Sequence, residues 1–232
     1  LVQRIFFTNT NEILDAFASH WQPRWNDFAA ISTEDWNRIL QFAAAYMPRQ
    51  RFDWQPLSTS MWKATVKQFK PQAARGPDGF DKADLAAMPD SFLQAFLRMM
   101  HHIEYTDTPW PSQRCFGTVI GLAKTEDAHE VGHFRPITLF STLYRTWARL
   151  RTKQLLRQMV RFVPPEALGF LPKRETTEVW LLLQAQIELM LQQDHTYCGL
   201  STDLKRAFNN IGREQVFLVA RHIGLPDPLL CA

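Results

Sequence analysis

The stretch CFGTVIGLAKTEDAHEVGHFRPITLF, residues 115–140, decides how the middle of this chain folds. It contains two apolar runs rich in β-branched residues, 115–122 and 134–139, on either side of a polar, turn-like stretch. This arrangement predicts two strands joined as an antiparallel β-hairpin. Lys124 would lie near the end of the first strand and Arg135 near the start of the second, so we expect the two cations to lie close together.

A pair of cations on a rigid hairpin is suited to binding a triphosphate. Arg135 would offer a two-pronged hydrogen-bond donor, and Lys124 a compact point charge. The alternative is that each residue is one more surface cation. The two residues alone leave both interpretations open.

The region after the hairpin is strongly basic. Between His133 and Arg174 there are nine Lys or Arg residues and one acid, Glu166, although the net charge of the whole chain is only +3. Like charges one helical turn apart repel by roughly 0.2–0.5 kcal/mol per pair, so such a face favours a counter-anion such as a nucleic-acid backbone. A solvated face balanced by the acidic remainder of the fold is the alternative. Five of these cations recur every four residues, and apolar residues at helical spacing lie between them, which predicts an amphipathic helix. They are Arg145, Arg149, Lys153, Arg157 and Arg161.

The region before the hairpin is predicted to be helical. Residues 1–70 are rich in helix formers and hold five of the eight tryptophans, which we expect to pack in a core because few cations interleave with them. Ser32 has the sequence context of a helix start. The motif Gly76-Pro77-Asp78-Gly79 predicts a tight turn. A further helix is predicted over 90–103.

The region after the basic block is predicted to be a helix over 176–193, a short strand over 197–202 that ends in Asp203, and a helix over 213–222. A carboxylate at the end of a central strand is a rigidly held metal ligand. Aspartate in this position is equally typical of a turn or a helix N-cap. Asp203 alone does not decide between these interpretations.

The bulk composition is that of a globular protein, with 46% hydrophobic and 21% charged residues. No apolar run approaches the ~20 residues that cross a bilayer, and no secretion signal opens the chain, so we expect no membrane partner and an intracellular location, nucleus or cytoplasm. Three distant cysteines predict no disulfide partner and no zinc site, and we expect them to be buried. With no methionine before Met47, the chain is expected to be cut from a longer polypeptide.

Several motifs follow one another in an order that resembles a known family. They are Gly76-Pro77-Asp78-Gly79-Phe80, Val119-Ile120-Gly121-Leu122-Ala123-Lys124, Phe134-Arg135-Pro136-Ile137-Thr138-Leu139 with Tyr144-Arg145, Leu168-Gly169-Phe170 with Arg174, and Ser201-Thr202-Asp203-Leu204-Lys205-Arg206-Ala207-Phe208. Each motif is weak, but the ordered set resembles the reverse transcriptases of non-LTR (LINE-type) retrotransposons and, more distantly, group II intron proteins. The resemblance covers roughly residues 60–232.

The resemblance implies an α+β fold of the right-hand polymerase type with a helical N-terminal extension. Residues 1–60 would be a helical lead-in, 61–195 the fingers, and 196–232 an incomplete beginning of the palm. It also implies an RNA-directed DNA polymerase that adds dNTPs to a DNA or RNA primer on an RNA template, with a two-ion Mg²⁺ site.

The resemblance further implies roles for individual residues. Asp203 would be the first catalytic, metal-binding carboxylate, and the carbonyl of Leu204 would complete a Mg²⁺ site. Phe208 would stack under the deoxyribose and exclude a 2′-hydroxyl. The other implied contacts are Lys124, Arg135 and the amides near Ala207 and Phe208 with the incoming dNTP, and Gly169, Phe170, Arg174, Arg145, Arg149, Lys153 and Arg157 with the template or duplex.

One departure from the family limits the expected activity. Two-metal phosphoryl transfer needs several carboxylates around ions roughly 3.5–4 Å apart, and the family supplies them from an Asp-Asp motif. No Asp-Asp pair occurs in this chain, so we expect an incomplete Mg²⁺ site and an inactive fragment that binds nucleic acid weakly and salt-sensitively. A non-catalytic, polymerase-derived nucleic-acid-binding module and a degraded element copy are the alternatives.

Overall fold

The described part of the chain folds mainly into helices, with one small antiparallel sheet. The computed structural model describes residues 9–26, 32–106, 108–112, 116–161, 163, 167–169, 171–203 and 212–231. The sheet has two strands, in the order β1-β2. A mixed helix-and-strand class is therefore confirmed, while the right-hand polymerase arrangement stays a prediction.

The N-terminal region is helical, as predicted. Helix α1 spans Thr10–Asn26, α2 spans Thr33–Tyr46 and α3 spans Thr59–Lys67. The predicted start of α2 is confirmed, because the Ser32 hydroxyl accepts the amide of Asp35 at 3.1 Å as an N-cap. Trp21 and Trp62 are almost fully buried, as expected of core residues.

The main core lies where α3 meets three further helices. These are α4, Lys82–Ala87; α5, Asp90–Tyr105; and α6, Thr142–Met159. Helix α5 places its buried residues at helical spacing, so one face of it is apolar from Leu93 to Ile103 and ends in the buried acid Glu104. The buried cluster consists of Trp62, Val66, Leu85, Leu93, Phe96, Leu97, Met100, Leu143, Trp147 and Leu150.

The predicted β-hairpin is confirmed. Strand β1, Gly117–Ala123, pairs with β2, Phe134–Phe140, in a register that runs from Gly117 opposite Phe140 to Ala123 opposite Phe134. The Lys124 amide continues the ladder by donating to the His133 carbonyl at 2.9 Å. All seven residues of β1 are exposed.

Two of the C-terminal helices match their predicted bounds closely, and a third, short helix was not predicted. Helix α7 spans Thr176–Gln192, α8 spans Arg213–His222 and a short α9 spans Asp227–Cys231. Gly224 follows α8 with φ +91°, and a Cβ there would meet the carbonyl oxygen of Gln50 at 2.3 Å, so only glycine fits this approach to the N-terminal region. Helix α7 buries none of its described side chains.

Two sequence predictions are wrong. The segment 197–202 forms no strand, because a strand needs a partner for its backbone hydrogen bonds and the described sheet consists of β1 and β2 alone. Cys198 is exposed, where a buried residue was expected, since this segment packs little of its side-chain surface. In the described part of the chain, no helix combines the length and apolarity that crossing a membrane requires.

Candidate nucleotide and nucleic-acid interface

The hairpin brings Lys124 and Arg135 to the same end of the sheet. Leu122 pairs with Arg135 and Ala123 with Phe134, and Lys124 directly follows Ala123. The backbone segments that carry the two cations are therefore neighbours, as a hairpin requires. That the two side chains meet, and the ligand they would bind, stay predictions.

Both hairpin cations keep an uncompensated charge. The Lys124 ammonium donates to the Gly132 carbonyl oxygen at 2.8 Å, which holds it over the connecting loop. Among the described residues, no carboxylate forms an ion pair with Lys124 or Arg135. Both side chains are exposed, so an anion in solution can reach them.

The predicted turn at residues 76–79 is confirmed, and it braces the hairpin against α6. The Gly79 amide donates to the Gly76 carbonyl at 3.0 Å, and Gly79 has φ +71°. A Cβ on Gly76 would lie 2.3 Å from the Phe140 carbonyl oxygen, at the end of β2. The Thr142 hydroxyl accepts the Gly76 amide at 3.2 Å and donates to the carbonyl of Phe80 at 3.0 Å. The turn, the end of β2 and the start of α6 are therefore tied together.

The cations of α6 do not form one flat, exposed track. Arg145 reaches the segment that follows α3, where Nη2 donates to the Ala74 carbonyl at 2.7 Å. The guanidinium of Arg149 lies over the ring of Phe69, 5.2 Å from its centroid. Arg157 is exposed.

Lys153 is a half-buried cation of this series. Its ammonium donates to Gln68 Oε1 at 2.6 Å and to Thr65 Oγ1 at 3.1 Å. Partial burial, followed by repulsion from Arg149 and Arg157, lowers the pKa of Lys153 below its usual value. Its charge is thus held against neutral partners, without a carboxylate.

Of the remaining predicted site residues, three are described by the structure and four are not. Arg174 is engaged, because its Nη1 donates to Glu178 Oε2 at 2.7 Å and this hydrogen bond lowers the pKa of Glu178. Gly169 and Asp203 are exposed and lie outside regular secondary structure. The predicted site residues that lie outside the described part of the chain are Phe170, Leu204, Ala207 and Phe208.

Comparison with known proteins identifies the relatives of this chain. It is 26% identical over 176 residues to the "Retrovirus-related Pol polyprotein from type-1 retrotransposable element R2" of Popillia japonica, a match that covers 75% of this chain and 23% of the relative. It is 24% identical over 207 residues to the "Probable RNA-directed DNA polymerase from transposon BS" of Drosophila melanogaster, covering 88% of this chain and 22% of the relative. This chain is related to the reverse transcriptases of non-LTR retrotransposons. It spans less than a quarter of the length of either relative, and no protein-family model matches it.

The described residues of the chain do not contain a complete metal site. No group of three or more His, Cys, Asp or Glu side chains that could hold a metal ion occurs in the part of the chain that the structure describes. Asp203 is exposed, so its carboxylate is free of steric obstruction, yet a two-ion site needs several converging carboxylates. The described residues therefore supply too few carboxylates to hold two Mg²⁺ ions.

One buried ion pair of this chain could not be recognised from the charge pattern. Arg151, counted among the basic residues, is buried and forms an ion pair with buried Glu104, whose Oε1 also accepts the Trp147 indole at 2.6 Å. The signal was present in the helical spacing, because Arg151 follows Trp147 by four residues on the core-facing side of α6. Charge counting alone therefore overstated the exposed basic surface.

Proposed function

We propose that this chain is the fingers and the beginning of the palm of an RNA-directed DNA polymerase with the right-hand fold. The whole protein would add dNTPs to a DNA or RNA primer opposite an RNA template. The similarity to two retrotransposon proteins supports the family. The hairpin register, in which Leu122 pairs with Arg135 and Ala123 with Phe134 just before Lys124, is the observation that supports a binding site at this end of the sheet.

The hairpin pair is proposed to bind the triphosphate of the incoming nucleotide. Arg135 would form a two-pronged contact with phosphate oxygens, and Lys124 would add a second charge from the neighbouring strand. Neither cation has a competing carboxylate partner among the described residues, so little existing interaction is lost on binding. The ladder of backbone hydrogen bonds between β1 and β2 holds the pair in place.

Nucleic acid is proposed to bind the cationic side of α6 and the segment around Arg174. Arg149 and Arg157 are exposed and lie about two helical turns apart, and Arg145 and Lys153 add charge beside them. Gly169, Phe170 and Arg174 would contact the template. Such contacts release counterions, so affinity should fall steeply as the salt concentration rises.

The C-terminal residues are proposed to belong to the polymerase centre. Asp203 and the Leu204 carbonyl would bind Mg²⁺, and Ala207 and Phe208 would contact the nucleotide. Mg²⁺, when bound, would neutralise charge on the phosphates. Because the described residues supply no cluster of metal-binding side chains, we propose that the 232-residue chain does not polymerise by itself.

The test of the triphosphate site is a titration of the chain with a fluorescent dTTP analogue in the presence of Mg²⁺, followed by anisotropy. Lys124→Gln and Arg135→Gln should each weaken binding about tenfold, the usual effect of losing a charged hydrogen bond. Arg38→Gln, on α2, is the matched control for loss of one positive charge. Unchanged affinity in both hairpin variants would overturn the proposed site.

A second candidate function is a polymerase-derived module that binds nucleic acid without chemistry. For the 232-residue chain, this non-catalytic function is favoured because the described residues contain no group of three side chains that could hold a metal ion. Primer extension on an RNA template separates the two functions. Template-dependent extension by the 232-residue chain would exclude the non-catalytic module.

A further inference from the structure

A cavity of about 370 Å³ opens between the first turns of α6 and the segment that joins α3 to α4. This volume lies within the range of natural small-molecule sites, roughly 300–1,000 Å³. Its charged lining residues are Lys70, Asp81, Lys82, Arg145 and Arg149, and its aromatic ones are Phe69 and Phe80. Phe69, Lys70 and Lys82 were not singled out by any sequence motif.

The cavity carries uncompensated positive charge. None of the ion pairs between described residues uses any of its four cations. Asp81 is its single acid, and it is already engaged, because its carboxylate pairs with Arg75 at 2.5 Å and accepts the amides of Ala83 and Asp84. The cavity therefore favours an anion.

Neutral partners hold two of the four cations in place. Arg145 donates to the carbonyl oxygen of Ala74 and to the Thr142 hydroxyl, and Lys82 donates to the carbonyls of Lys67 and Phe69 at 2.9 and 2.7 Å. Carbonyl and hydroxyl oxygens fix a side chain without cancelling its charge. These two positive groups are thus positioned before any ligand arrives, which lowers the entropic cost of binding.

One part of the cavity lining combines an aromatic ring with a planar cation. The Arg149 guanidinium covers the ring of Phe69, so an aromatic and a planar cationic group lie together at the cavity. Arg and aromatic side chains bind nucleobases by stacking with little dependence on sequence. A site for inorganic phosphate alone would need neither this lining nor this volume.

We propose that this cavity binds one unpaired nucleotide of a single-stranded nucleic acid, with its phosphate at Lys70, Arg145 and Arg149 and its base beside Phe69. The proposal rests on the proposed nucleic-acid-binding function and refines it. A cavity of this volume has room for one nucleotide and excludes a base-paired duplex. The start of α6 would then select single strands, while the exposed Arg157 lies outside the cavity.

The test compares two fluorescein-labelled probes, an oligouridylate of roughly 12 nucleotides and an RNA duplex of the same length. Lys70→Gln and Arg149→Gln should each weaken binding of the single strand about fivefold. Ala73→Phe keeps every charge and fills the cavity from an exposed position, so it should weaken the single strand similarly and leave the duplex unchanged. Uridine 5′-monophosphate should compete with the single strand only.

Arg38→Gln serves as the charge control, since no residue of α2 lines the cavity, and circular dichroism melts check that each variant folds. The inference is overturned if Ala73→Phe leaves single-strand affinity unchanged, or if it weakens both probes equally. In either result the chain still binds RNA, so the proposed function survives. Failure of the unsubstituted chain to bind either probe would instead reject the proposed function, and the cavity site with it.

Discussion

The Asp78 carboxylate accepts the backbone amide of Leu143 at 3.2 Å, joining residues that are 65 positions apart in the chain. Leu143 lies in the first turn of α6, where the Ser141 hydroxyl accepts the next amide, that of Tyr144, at 3.1 Å. An acid at this position also interacts favourably with the helix dipole. The turn at residues 76–79 thus caps the helix that carries the basic residues and fixes the hairpin that precedes it.

Removing this cap should destabilise the protein. We expect Asp78→Ala to lower the free energy of unfolding by about 1–2 kcal/mol, the usual effect of losing an N-terminal cap. Asp78→Asn keeps an oxygen that can accept the Leu143 amide and should cost less. Urea denaturation followed by circular dichroism measures both, and equal stability of Asp78→Ala and the unsubstituted chain would contradict the capping role.

Gly76→Ala should be more damaging than the loss of the cap. Its Cβ would lie 2.3 Å from the Phe140 carbonyl oxygen and 2.9 Å from Ser141 Cα, so the backbone must move. We expect a loss of at least about 2 kcal/mol. Gly169→Ala is the matched control, since its Cβ would meet nothing within 4 Å, and should change stability by under about 0.5 kcal/mol. Similar melting curves for the two variants would refute the close approach at Gly76.

The hairpin and most helices could be predicted because their signals are local. The paired apolar runs, the polar loop and the Ser32 cap each depend on a few neighbouring residues. The strand expected at 197–202 has the same local character but formed no ladder, since its backbone needs a partner that β1 and β2 do not provide. Local composition indicates that a segment can be a strand, whereas only pairing makes it one.

The site was predictable in part for a related reason. The hairpin register itself could be derived from the sequence, and it brings the backbone of Lys124 and Arg135 to the same end of the sheet. The cavity beside Phe69 depends on how the segment after α3 approaches α6, a long-range arrangement that no spacing encodes. Its one sequence signal is that Lys70 and Lys82 flank the 76–79 turn, which itself contacts α6.

The buried pair of Glu104 and Arg151 should show strong coupling. Arg151 Nε donates to Glu104 Oε1 at 2.6 Å, and Nη1 donates to the Gln55 carbonyl and to Gln154 Oε1, both at 2.8 Å. Removing either partner of a buried pair leaves an uncompensated charge, so Glu104→Leu and Arg151→Met should each cost about 3–5 kcal/mol. The double variant should recover much of this loss. A double variant whose loss equals the sum of the single losses would show that the two residues act independently.

Lys153 should titrate below the usual lysine value of 10.5, because partial burial and then Arg149 and Arg157 disfavour its charged form. The unfolded chain then holds this proton more tightly than the folded chain. The Lys153 contribution to stability should therefore rise as the pH climbs from the folded-state pKa towards 10.5. Titration by NMR of the lysine side chains measures the pKa. Arg149→Gln should raise it part of the way, and a pKa insensitive to this change would rule out repulsion from Arg149 as a cause.

The ion pair with Glu178 should weaken the binding of nucleic acid by Arg174. Its Oε2 accepts Arg174 Nη1 at 2.7 Å, and its Oε1 accepts the Glu175 amide at the start of α7. Glu178→Gln keeps the oxygen that caps α7 and removes the negative charge that holds Arg174, so a free guanidinium becomes available to phosphate. Since an exposed ion pair is worth up to about 1 kcal/mol, we expect single-stranded RNA to bind up to about fivefold more tightly. Arg174→Gln should abolish this gain when combined with Glu178→Gln, measured by anisotropy at fixed salt. A gain that persists in the double variant would mean that the lost charge acts on the RNA directly and that Arg174 does not contact it.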